Sequence, residues 1–238
     1  MLTGLLSLEV SQKLSTDLED YRRGGKALGE IRLGKTMSDI LMQSVKELGA
    51  NTSIEMALAM PIAYVVSWLM KSMGLGFSDA LNTVVRIMTT NSIEETQFLI
   101  KALKRIGGEV AILLDRVEIT EKRVLIEGLK LYDVFSLLSR VSNKFEFFVN
   151  MHQASSYALR TESYIKDGMD LNSALAKLFL EIVKDRGVIN YTLKNKVTQK
   201  ELVEVLRIDM ELRKKGVNLE NLMPYVLMVS LYLVMHGY

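Results

Sequence analysis

The chain has 238 residues, 30 of them basic and 28 acidic, for a net charge of +2. That balance excludes a whole-molecule case for nucleic-acid binding, so any basic site must be local. The lack of cysteine excludes disulfides, thiolate zinc sites and cysteine nucleophiles, and 49% apolar with 24% charged residues excludes a disordered chain.

The pattern along the chain is helical nearly throughout, and a count of only two prolines, Pro61 and Pro224, suits long helices. Leu5, Leu6, Leu8, Val10, Leu14 and Leu18 place an apolar side on a first helix near 4–21. Ile40, Leu41, Val45 and Leu48 form the stripe of a second, near 37–48. The spacing predicts further helices near 53–72, 78–89, 92–106, 129–142, 144–166, 171–185, 198–215 and 219–235. Capping boxes, or their Asp variant, are expected at Thr36–Asp39, Thr52–Glu55, Ser92–Glu95 and Thr198–Glu201. Helix stops are expected at Gly49, Gly74, Gly107-Gly108, Gly168, Gly187 and Gly216.

Two segments are ambiguous. In 109–127, Val110, Leu113, Leu114, Val117, Glu121 and Val124 keep helical spacing, while Val117-Glu118-Ile119-Thr120 alternates like a strand. A helix is the preferred reading, with a minor β-hairpin near 110–126 as the alternative. Residues 187–197, GVINYTLKNKV, read as a loop that holds at most a short strand. No Gly/Ser or Pro-rich linker divides the chain. The expected fold is all-α: a single domain, 1–238, built as a bundle or helical-repeat body of about ten helices. Gly34, Asp39, Gly74 and Ala80-Leu81 align at one offset with Gly128, Asp133, Gly168 and Ala174-Leu175, which suggests a weak duplication of 28–107 and 122–200.

Gly29 to Thr36 reads GEIRLGKT and matches the phosphate-loop pattern G-x-x-x-x-G-K-[ST]. In such a loop backbone N–H groups wrap a triphosphate, Lys35 reaches its end, and Thr36 holds Mg²⁺. Val110-Ala111-Ile112-Leu113-Leu114-Asp115 resembles the strand and acid that hold the metal in such enzymes. The context opposes this. A phosphate loop leaves a buried parallel strand, and Tyr21-Arg22-Arg23-Gly24-Gly25-Lys26-Ala27-Leu28 cannot form one. Thr36 then serves better as a helix cap than as a magnesium ligand. The charge remains: Arg22, Arg23, Lys26, Arg32 and Lys35 stand against one acid, Glu30. Such a connection either contacts a nucleic-acid phosphate backbone or is a solvated loop.

Other chemistry is sparse. His152 and His236 lie in no ligand pattern and read as packing or surface residues. Asp167 and Asp170 read as turn and helix-start acids, and Asp39 and Asp133 each sit on an apolar helix. No catalytic residue, metal or cofactor is expected.

Apolar side chains are in surplus. Met56–Met70 and Asn221–Tyr238 contain no Asp, Glu, Lys or Arg, and mean hydropathy is +0.16. The first is too short to span a bilayer, which takes about 20 residues. The second is borderline and follows Arg213-Lys214-Lys215. Methionines at 56, 60, 70 and 73 and at 223, 228 and 235, with Phe145, Phe147, Phe148 and Tyr157 on a further helix, suit cores and adaptable interfaces. The leading expectation is a non-enzymatic, self-associating structural or scaffold protein of filament, capsid or nucleoprotein type. Its partners would be copies of itself and, as an option, a DNA or RNA backbone. The N-terminus lacks a signal-peptide pattern, so a cytoplasmic or virion location is expected. The alternatives are a membrane-associated protein using 221–238 and a nucleotide-binding enzyme using GEIRLGKT.

Overall fold

A computed structural model describes the backbone of residues 2–194 and 198–238, and the side chains within that span except those of 2–11 and Ala50. The chain is all-helical, with no strand among the described residues. The α-helices are α1 (Leu2–Arg22), α2 (Leu33–Leu48), α3 (Ile54–Met73), α4 (Phe77–Thr90), α5 (Ile93–Ile106), α6 (Gly108–Arg116), α7 (Glu121–Glu127), α8 (Leu131–Ser139), α9 (Glu146–Asn150), α10 (Gln153–Lys166), α11 (Leu171–Asp185), α12 (Gln199–Lys214) and α13 (Met223–Met235). Short 3-10 turns occupy Leu28–Glu30, Gly49–Asn51, Asn143–Phe145 and Glu220–Leu222. The expected stripe of Leu5, Leu6, Leu8 and Val10 falls on side chains outside the described residues, while Leu14 and Leu18 are buried. Part of the expected loop, 195–197, also lies outside them; its described part, 187–194, holds no strand.

Among the described residues thirteen α-helices appear where about ten were expected, because two long segments break. The first correction is at 109–127, where neither a hairpin nor one helix forms. α6 stops at Val117, and Glu118 takes the left-handed conformation at φ 55°. The Ile119 N–H then bonds the Leu114 carbonyl at 2.9 Å and buries Ile119 completely. This is the hydrogen-bonded stop that glycine usually supplies, made here without one. Thr120 caps α7 by accepting from the Arg123 N–H. Left-handed backbone costs a non-glycine residue about 1–2 kcal/mol, and glycine's extra unfolded freedom offsets about 0.5–1 of that. Glu118→Gly is therefore expected to raise stability by about 0.5–1 kcal/mol, read as a higher urea midpoint at unchanged slope.

The second break is at Met151-His152, where neither Gly nor Pro marks it. It separates aromatic residues expected on one helix. Phe145, Phe147 and Phe148 join Phe135, with Phe135 and Phe148 stacked at 4.3 Å between centroids, whereas Tyr157 lies on α10 and meets Tyr225 edge-on at 5.5 Å.

The chain divides at this break into two compact units, Met1–Met151 and His152–Tyr238. In the first unit α3 is central and packs against α1, α2 and α4, while α2 also packs along α5. α3 has the predicted length, shifted by one residue from 53–72. Its 20 residues are long and apolar enough, by length and composition, to cross a membrane. Leu58, Ile62, Val65, Val66 and Leu69 lie in the unit's core. One buried amide ties the joint of α4 and α5 to α8. Asn91 accepts from the Leu131 N–H at 3.0 Å and donates to Ser92 O and Thr96 Oγ1 at 2.7 and 2.9 Å, while its own carbonyl takes Lys130 Nζ. In the second unit α13 packs against α10 and α11. Met169, Ala174, Leu180 and Leu193 form a smaller cluster that Val205 of α12 joins.

Candidate functional site: the basic connection and the face of α12

The connection between α1 and α2 carries the five cations singled out above, and each meets a carboxylate. Glu19 takes Arg22 through two nitrogens at 2.5 and 2.9 Å and Arg23 Nε at 2.9 Å. Asp17, only 1% exposed, binds Lys26 and receives Arg32 through Nε and Nη2, both at 2.8 Å, and through its backbone N–H at 3.1 Å. Lys35 reaches Asp39 at 3.2 Å and lies 4.9 Å over the Phe98 ring. Glu30 accepts from the Ala27 N–H at 2.6 Å. The neutralising acids Asp17, Glu19 and Asp39 lie outside the run 22–35, so charge counted within that window overstated the site.

GEIRLGKT itself is a packing element. α2 begins at Leu33, four residues earlier than the capping box at Thr36–Asp39 implied. Thr36 caps nothing: its hydroxyl donates back to the Arg32 carbonyl at 2.6 Å, inside the first turn. The first N–H groups of α2 point instead at Glu95, whose carboxylate accepts from Lys35 N at 2.8 Å and from the Gly34 N–H. These are the donors a phosphate would need, and a buried acid from another helix holds them. Both motif glycines permit close backbone approach. A Cβ on Gly29 would lie 2.3 Å from the Thr90 carbonyl oxygen, and one on Gly34 would lie 2.3 Å from that of Glu95. Val110–Asp115, the fragment that resembled a metal-binding strand, is helical in α6.

Two acids here titrate in opposite directions. Burial pushes the Asp17 carboxyl up, but the hydrogen bonds from Arg32 and Lys26 outweigh it and leave the group below its ordinary range. Burial also pushes Glu95 up, and the N–H groups of Lys35 and Gly34 offset only part of that.

Most of the other singled-out residues sit at helix ends. Ser92 caps α5, although Glu95 bonds α2 rather than completing the box. The cap before α3 is Ser53, with Thr52 bonded to Ser44 and Gly49. Thr198–Glu201 forms the full box. Asp170 caps α11 and Asp133 accepts from the Lys130 N–H. His236 hydrogen-bonds the Tyr232 carbonyl, and His152 is exposed.

Sequence reasoning missed two clusters in the second unit. Glu162 accepts from Tyr232 and Tyr238, both at 2.9 Å, and from Lys166, and Lys166 leads in pulling its carboxyl down to about 2. Lys177 is buried beneath the Tyr164 ring at 4.1 Å, and Tyr164 donates to Glu181. Neither cluster has a spacing signature, since each joins residues on different elements.

The least satisfied surface is on α12. Leu202, Val203, Leu206 and Met210 are 54–62% exposed. At about 100° per residue they share one arc of about 100°, while Val205, Ile208 and Leu212 turn to the other side. The helix carries four cations, Lys200, Arg207, Arg213 and Lys214, and four acids, Glu201, Glu204, Asp209 and Glu211. Arg207 bonds Glu204 and Glu211, and Arg213 bonds Asp209.

Comparison with protein families, with curated proteins and with solved structures finds no match.

Proposed function

We propose that the protein is a non-enzymatic helical subunit that associates with copies of itself. The observation that carries this reading is the outward apolar arc of α12. Soluble monomers seldom leave a contiguous apolar ridge exposed along a helix. The charge on α12 sums to zero, and Arg207 and Arg213 are paired within the helix, so no net charge draws it to an anionic lipid surface or a phosphate backbone. A protein surface is the occupant left by that chemistry, and every copy of the chain supplies one.

The alternatives have less support. α13 spans 13 residues, about 20 Å against a hydrocarbon core of about 30 Å, and buries Tyr225, Met228, Val229, Tyr232 and Leu233 within its own unit. Nucleotide binding through GEIRLGKT would have to displace Glu95 from α2. A nucleic-acid backbone would compete with Glu19 for Arg22 and Arg23 and with Asp17 for Lys26 and Arg32, so such contact is secondary in this proposal.

The four exposed side chains of α12 offer on the order of 300 Å² per copy at the usual area coefficient. Twice that falls short of the about 1,200 Å² of a stable interface, so each contact is expected to be weak and concentration-dependent. Leu206→Glu sets a charge in the centre of the arc without touching the core. Sedimentation velocity is expected to show wild-type association at high concentration and a loss of about tenfold or more in the variant, about 1.4 kcal/mol. Equal association of both proteins would remove α12 from the interface.

A further inference from the structure

The exposed arc of α12 has the spacing of a coiled-coil seam. Val203 and Met210 take the first core position of a heptad and Leu206 takes the second, with Gln199 and Arg213 at the two ends of the same stripe. The side that packs on its own unit carries Val205 and Ile208 and lies roughly opposite, at about 100° per residue. The seam is therefore open along the helix, and both of its flanks are exposed. Leu202 and Asp209 line one flank, and Lys200, Arg207 and Lys214 line the other.

We propose that two copies pair through α12 as a short, parallel, two-stranded coil, on a two-fold axis that runs along the helices. This rests on the self-association reading and names its geometry. Charge along the seam supports a second copy as the occupant. In parallel, each flank meets the opposite flank of the other copy. Asp209 of each then faces Lys214 of the other, and Leu202 lies against the stem of Arg207. Turned antiparallel, each flank meets its own kind: Lys200 faces Lys214, Arg207 faces Arg207 and Asp209 faces Asp209. Glu204 and Glu211 screen Arg207, but the lysine and aspartate contacts stay repulsive. Each copy thus supplies the flank that the other needs, and only in one direction.

The seam side chains agree with that direction. A β-branched residue at the first core position with leucine at the second, as in Val203 and Leu206, favours two parallel strands over higher assemblies. Met210 is unbranched and adapts to the facing side chain. Because both copies present the same face, the pair closes and does not propagate.

The chain has no cysteine, so one introduced thiol reports the contact. In the parallel pair the two copies of residue 203 stand within disulfide reach, with Cα atoms about 6 Å apart. In an antiparallel pair residue 203 meets residue 213, which leaves the two copies of 203 about 15 Å apart along the axis. Val203 and Leu206 are 61% and 62% exposed, so substitution at either leaves the core untouched. Val203→Cys in the full chain, mildly oxidised, is expected to give a disulfide-linked pair. Adding Leu206→Glu to it is expected to lower the yield about tenfold, as the weakened contact requires. By light scattering, wild-type mass is expected to level off at two chains. Linking that appears only when Val203→Cys is mixed with Arg213→Cys, linking that Leu206→Glu does not reduce, or mass that climbs past two chains overturns the parallel pair and leaves self-association standing. Wild-type protein that remains a single chain at every concentration overturns both.

Discussion

Gly34→Ala is expected to cost about 3 kcal/mol or more of stability. The new Cβ would stand 2.3 Å from the Glu95 carbonyl oxygen and 2.8 Å from its carbon. Real Cβ atoms do not approach backbone so closely, so α2 or α5 must move. Overpacking a tight site costs typically 1–3 kcal/mol, and more where rigid backbone must give way. The shift also lengthens the bonds from the first turn of α2 to Glu95, returning buried donors to an unpaired state at about 1–3 kcal/mol each. Gly29→Ala meets the Thr90 carbonyl at the same distance and is expected to be comparably costly. Lys35→Ala is the control. Its salt bridge to Asp39 is about 43% exposed on each side and is worth under about 1 kcal/mol. A phosphate loop predicts another pattern, in which Lys35 governs nucleotide affinity. Thermal melts of the three variants, with and without ATP, separate the two readings. The packing reading fails if Gly34→Ala melts like the wild type.

The second large effect is at Asp17. The double variant Lys26→Met with Arg32→Met leaves a 1% exposed carboxylate without a cation. Uncompensated buried charge costs about 3–5 kcal/mol, and the lower end applies because Arg32 is 44% and Lys26 25% exposed, so water already screens part of the lost attraction. The pH dependence gives the sharper signature. In the wild type the folded Asp17 carboxyl lies below its unfolded value of 3.8, so its contribution is present above that value and is lost as pH falls through the lower folded one. In the double variant burial acts unopposed by those cations, the folded value rises above 3.8, and the contribution reverses sign. The variant is expected to gain stability relative to wild type as pH falls through the acid range. Glu95 is a common background, because its raised folded value removes stability in both proteins as pH rises from 4.5 through that value. Urea titrations between pH 3 and 7 read the difference. Parallel curves for the two proteins would show that Lys26 and Arg32 do not hold the charge.

The all-helical class was legible because apolar spacing near 3.6 recurs along the chain and turn signals stand between the segments. The helix 171–185 is found at the predicted bounds. The two missed breaks share one cause. Glu118 adopts a conformation that composition assigns to glycine, and Met151-His152 carries no breaker at all, so tertiary packing rather than local preference decides both.

The basic connection was legible as charge but not as structure. Lys35 and Glu95 are 60 residues apart, as are Gly34 and the carbonyl beneath it within one residue, and no window of sequence shows such a meeting. On α12 both apolar arcs are written in the sequence, yet periodicity does not tell which arc meets the core. Val205 joins a buried cluster, whereas Leu206, its neighbour, is 62% exposed.

The central claim is self-association, and light scattering on the full chain over a concentration series tests it most directly. The account predicts a mean mass that rises well above the 26.9 kDa of one chain as concentration increases, in the wild type and not in Leu206→Glu. A wild-type mass that holds at 26.9 kDa throughout would contradict it.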